Sequence, residues 1–135
     1  MDREEIRSEE TDELELRSRK YRVVLCGASA YDQKYYYNDK FDALPEQVKE
    51  DLHIICVLFT EEIGGVFTIG FTPMGEVVLD STADEGDLLY DDIGAGLMIK
   101  KIYSTKQELI EALSIYFKVT FLHQDPAGLL TDEEE

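Results

Sequence analysis

The chain has 135 residues and an ordinary 44 % of hydrophobic side chains, but 30 acidic residues stand against 13 basic ones, for a net charge of −17. That length suits one domain able to bury a core without help from disulfides or metal. The charge argues against nucleic acid and anionic membranes as direct partners, because both would repel the chain.

Residues 1–20 hold eight acids and five bases but only Ile6, Leu14 and Leu16 as large apolar side chains. The composition predicts a flexible charged arm. The opening "MDREEIRSEE" is charged where a secretory leader would be apolar, and no run is long enough to span a bilayer. A cytoplasmic location with both cysteines, Cys26 and Cys56, reduced is the expectation. Residues 21–122 are read as a single α+β domain, and 123–135, ending in "DEEE", as an acidic tail.

"YRVVLC", 21–26, reads as a strand or extended segment stopped by Gly27. In "CGASAYDQKYYYN", a helix starting near Ser29 would stack Tyr31 on Tyr35 and turn Tyr36 and Tyr37 onto other faces. If the stretch is a strand, the three consecutive tyrosines alternate sides. In either case one core cannot take them all, and tyrosine suits interfaces because its ring buries while its hydroxyl stays bonded.

Pro45 suits the first turn of a helix, and Leu44, Val48, Leu52, Ile55, Phe59 and Ile63 form a stripe ending at Gly64. The spacing predicts a helix over about 45–62. The β-rich run "HIICVLFT" keeps open a short helix followed by a strand at 54–60. Two alternating runs flank "TPMG", which predicts an antiparallel hairpin at 66–72 and 76–82. A helix at about 86–100 follows, capped by Asp84 or Asp87, with Gly94 and Gly96 allowing a close crossing. The last helix, about 105–118, carries a capping box at Thr105 and Glu108 and a stripe of Leu109, Leu113 and Phe117. Together these elements predict an α+β fold, with a small antiparallel sheet, possibly joined by 21–26, packed against three helices.

Several chemistries find no template. There is no phosphate loop, nucleophile elbow, dinucleotide fingerprint or CxxC pair. His53 and Cys56 would share a helix face, but no third residue is there to orient them. The carboxylates from Glu76 to Asp92 match no calcium loop, so no metal and no cofactor are expected. They read as a solvated acidic surface.

The stretches "VLCGASAYDQKYYYN", "LPEQVKEDLHIICVLFTEEIGGVFTIGF", "EGDLLYDDIG" and "ELIEALSIYFKV" resemble an uncharacterised family of small acidic proteins from anaerobic Gram-positive bacteria. The resemblance spans most of 23–119. It implies a bacterial cytosolic domain and supplies no activity or site residue.

The expected function is a non-enzymatic protein-interaction module, adaptor or chaperone-like, with Tyr31, Tyr35, Tyr36 and Tyr37 as its contact patch. Its partner is a protein, basic by charge complementarity, or a second copy of the chain. One alternative is a small-ligand or metal-binding regulatory domain using the acidic run and the Gly64–Gly65 turn. A weaker alternative is a thiol-dependent enzyme working through Cys26.

Overall fold

A computed structural model of the chain describes residues 23–125. The expected arm at 1–20 and most of the expected tail lie outside them. Among the described residues the order is β1 (Val23–Ser29), β2 (Lys34–Tyr37), α1 (Glu46–Ile63), β3 (Val66–Phe71), β4 (Val77–Thr82), α2 (Asp92–Thr105) and α3 (Gln107–Thr120), with a 3-10 turn at Asp39–Phe41. The strands form one antiparallel sheet in the order β2-β1-β3-β4. This is the α+β arrangement expected from the sequence.

Strand pairing sorts the side chains into two faces, since directly paired residues point the same way. Cys26 pairs with Ile69 and Tyr37, Ala28 with Phe67 and Tyr35, and Ile69 with Leu79. These residues form the face covered by helices. Gly27, Tyr36 and Thr68 lie on the other face. A register shift between Val24 and Cys26 marks a bulge, which leaves Leu25 wholly buried beside Cys26.

The predicted hairpin is present, and its turn explains the local sequence. Thr72 Oγ1 accepts from the backbone of Met74 and Glu76, and Gly75 adopts φ 92°. The helix read at 45–62 is also present, as α1, so the strand alternative at 54–60 is not adopted. Its buried stripe is Leu52, Cys56, Phe59 and Ile63, and the Phe59 ring stacks on Phe67 at 4.1 Å. Phe41 reaches the core from the 3-10 turn and meets Phe71, Phe117 and Phe121. Ser114 ties α3 to the hairpin by donating to the Gly75 carbonyl at 2.8 Å.

Four local expectations are corrected. First, β1 does not stop at Gly27 but runs through it. A Cβ there would come within 2.8 Å of the Phe67 carbonyl oxygen, so this glycine permits a close approach between strands. Second, no helix starts near Ser29, because Lys34–Tyr37 pairs with β1 as a strand. Third, the helix placed at 86–100 is Asp92–Thr105, capped by Asp91, whose side chain accepts from Gly94 N at 2.9 Å. Gly94 lies against that Asp91 carboxylate and Gly96 faces open space, so neither marks a crossing. Fourth, Thr105 caps nothing: it ends α2 and donates to the Lys101 carbonyl at 2.8 Å, while Lys106 precedes α3 without a side-chain cap.

Candidate functional site: an apolar seam, a cleft and a buried thiol pair

The four tyrosines do not form one surface. Tyr36 projects from the open face of the sheet and is 55 % exposed. Tyr35 and Tyr37, one position to either side, turn toward α1 and are partly buried. Tyr37 donates to the Phe41 carbonyl at 2.6 Å, and Lys49 lies 5.8 Å over its ring. Burial is the main reason its phenol is pushed up to about 12, followed by the Cys26 thiol. Tyr35 stacks on His53 with ring centroids 4.2 Å apart.

Tyr31 pins the acidic segment. Its hydroxyl donates to Asp87 at 2.5 Å and accepts from Asp84 N at 2.9 Å. Asp87 therefore fastens the loop before α2 instead of capping a helix. The Tyr31 hydroxyl, and after it the backbone N–H of Leu89, holds the Asp87 carboxyl below its ordinary range. A depressed carboxylate stabilises the fold above its unfolded-state pKa of about 3.9, and that contribution is lost as pH falls through the folded value. Tyr31→Phe is expected to move the Asp87 midpoint up toward the ordinary range in a carboxyl NMR titration and to expose the Asp84 amide to exchange. An unmoved midpoint would show that the pair does not hold the loop.

Cys26 is wholly buried, and so is Cys56; their Sγ atoms lie 3.7 Å apart between β1 and α1. The expected Cys56–His53 face is not formed, because Cys56 points into the core while His53 is exposed. The Cys56 thiol is pushed up by its contact with Cys26 first and by burial second. The buried Tyr35 hydroxyl makes no hydrogen bond of ordinary geometry. Its pKa is raised by burial and then by the two thiols, which are weak and poorly directed partners.

A cleft of about 570 Å³ opens between the β1–β2 turn and α1, bordered by Ser29, Gln33, Tyr35, His53, Val57 and Glu61. Gln33 holds a left-handed φ of 54° at its rim. Among the described residues no group of three or more His, Cys, Asp or Glu side chains is placed to hold a metal ion, and no helix is long and apolar enough to cross a membrane.

A set of exposed apolar side chains lies elsewhere, along the seam of α1 and α2. Ile54 and Leu58 project from α1 and Leu97 from α2, with exposures from 51 % for Leu58 to 63 % for Leu97. Two grooves follow this seam and share Met98 and Lys101, so the surface is continuous from Ile54 to Leu97. Leu88 and Leu89, over 90 % exposed, precede α2. The charged side chains along the two grooves are Asp51, Glu62 and Asp91 together with Lys101 and Lys106, with Glu62 and Asp91 at the end where α2 begins. Sequence reasoning missed this surface because it followed only the buried stripe of α1 and assigned no face to Ile54, Leu58 or Leu97. The available signal was the surplus in "HIICVLF", which is wider than one buried stripe.

The sequence pattern of a family of unknown function (DUF6145) matches residues 22–125. No curated protein and no solved structure matches the chain.

Proposed function

We propose that this chain, which belongs to the DUF6145 family of unknown function, is a non-enzymatic interaction module that docks a basic amphipathic helix of another protein on the α1–α2 seam. The observation that carries this reading is the exposure of Ile54, Leu58 and Leu97 along two adjoining grooves. Single exposed leucines are common, but an aligned set flanking a groove is the pattern of a helix-in-groove contact. The net charge of −17, with Asp51, Glu62 and Asp91 along the grooves, favours a partner with lysine or arginine beside its apolar anchors and steers its approach. Each apolar side chain offers roughly 1.5–3 kcal/mol on full burial. These are already partly covered, and association removes freedom, so a dissociation constant on the order of micromolar follows. An adaptor or chaperone-like role in a bacterial cytosol fits this chemistry.

A second reading, a small-ligand domain, is favoured by the 570 Å³ cleft walled by Tyr35 and His53. The cleft adjoins the Gly64–Gly65 turn, since its wall residues Ala30 and Thr60 are bonded to that turn, Ala30 N to the Gly65 carbonyl at 2.8 Å and Gly64 N to the Thr60 carbonyl at 2.9 Å.

The test is an anisotropy titration with a labelled, lysine-rich amphipathic leucine helix and its glutamate-rich analogue. The expected result is micromolar binding of the basic peptide, weakening with salt, and no binding of the acidic one. Equal binding of both peptides, or of neither, contradicts the proposal. Self-association that covers the same face would assign the seam to a second copy of the chain.

A further inference from the structure

Cys26 and Cys56 are thirty residues apart in sequence, yet β1 and α1 bring their sulfurs to 3.7 Å. A disulfide needs a sulfur separation of about 2.05 Å, so a closure of roughly 1.7 Å is required, within the reach of small side-chain adjustments. Neither thiol takes part in the docking surface, and the pair does not resemble a catalytic thiol, since both are buried without a cation beside them. The neighbouring hydroxyl of Tyr35 is left without a hydrogen bond. Tyr35 also borders the open cleft, so one side chain links the cleft to the thiols.

We propose that Cys26 and Cys56 are a built-in oxidation site, closed to an intramolecular disulfide by a small peroxide entering from the Tyr35–His53 cleft. One sulfur, as the thiolate, attacks a peroxide oxygen. The O–O bond breaks and hydroxide leaves, giving a sulfenic acid. The second sulfur, as the thiolate, attacks the first, the S–O bond breaks, and hydroxide leaves again. The two thiols lose two electrons and two protons, and the peroxide becomes two waters. The raised thiol of Cys56 keeps the thiolate population small, so the reaction is slow. Bulky disulfide oxidants are excluded by the same burial. The product ties β1 to α1 and shortens the unfolded chain's freedom across the loop between them.

The experiment treats the full chain with hydrogen peroxide in native buffer, then denatures it, alkylates it and maps its peptides by mass spectrometry. The expected results are loss of both alkylatable thiols, a linked peptide containing Cys26 and Cys56, full reversal by dithiothreitol, and a rise in Tm of about 10 °C. Oxidised glutathione is expected to react far more slowly. Two alkylatable thiols remaining after a treatment that fully oxidises the urea-unfolded chain would overturn the proposal. So would oxidation proceeding only at the rate of global unfolding, because an unfolded chain needs no preset pair.

Discussion

Phe41→Ala is expected to lower the unfolding free energy by about 3–5 kcal/mol. Phe41 is wholly buried and hangs from a three-residue turn, not from a helix or strand. Its ring lies 5.1 Å from Phe121, 5.5 Å from Phe71 and 6.4 Å from Phe117, measured between centroids. These neighbours come from α3, β3 and the segment after α3, so they cannot collapse together to refill the void. Removing the ring costs its transfer energy and leaves a cavity among groups that have lost their contacts. A domain of ordinary stability holds about 5–15 kcal/mol in total, so the variant is expected to be partly unfolded near physiological temperature. Urea unfolding followed by circular dichroism measures this directly. A midpoint within error of the parent would show that Phe41 is not a core residue.

The second large effect is expected at Gly65. Its φ of 69° is left-handed, and an added Cβ would strike the Thr82 carbonyl oxygen and come within 2.9 Å of the Tyr90 ring. A non-glycine residue in this region costs about 1–3 kcal/mol before any clash. The carbonyl is backbone at the end of β4, paired with the first residue of β3, and cannot move without opening the hairpin. The Gly65 carbonyl also accepts from Ala30 N at 2.8 Å, which joins the β1–β2 turn to the same corner. Gly65→Ala is therefore expected to destabilise by about 3 kcal/mol or more. For a domain near this size that is a fall in Tm of at least about 10 °C, readable by calorimetry. Gly64→Ala is the internal comparison: its φ of 92° is also left-handed, but its nearest foreign atom would be 3.8 Å away, so the smaller loss isolates the backbone strain.

The elements legible in the sequence were those whose pattern repeats. The β3–β4 hairpin showed as apolar alternation around a proline-glycine turn, and α1 and α3 showed as stripes with a spacing near four. What stayed hidden depended on contacts between distant residues. Gly27 reads as a terminator in isolation and is a close-approach residue only once β3 lies beside it. "KYYY" carries no apolar-polar alternation, because its three aromatic positions are identical, so its strand pairing could not be seen. The start of α2 was placed early because Asp87 looks like a cap, whereas Tyr31, 56 residues upstream, already claims it. The thiol pair and the α1–α2 seam depend on the packing of whole elements. Exposed Ile54 and Leu58 differ from buried Leu52 and Cys56 only in which side of α1 meets the sheet.

The docking claim is tested most directly by repeating the basic-peptide titration on the Leu58→Gln, Leu97→Gln double variant. These substitutions keep the net charge, side-chain length and good helix propensity, and remove only the apolar surface at the centre of the seam. The chain's net negative charge still attracts the peptide, so electrostatic binding alone would survive. The account predicts at least a tenfold weaker dissociation constant with an unchanged Tm, about 1.4 kcal/mol or more of lost binding. An affinity equal to that of the parent chain would show that the α1–α2 seam is not where the partner docks.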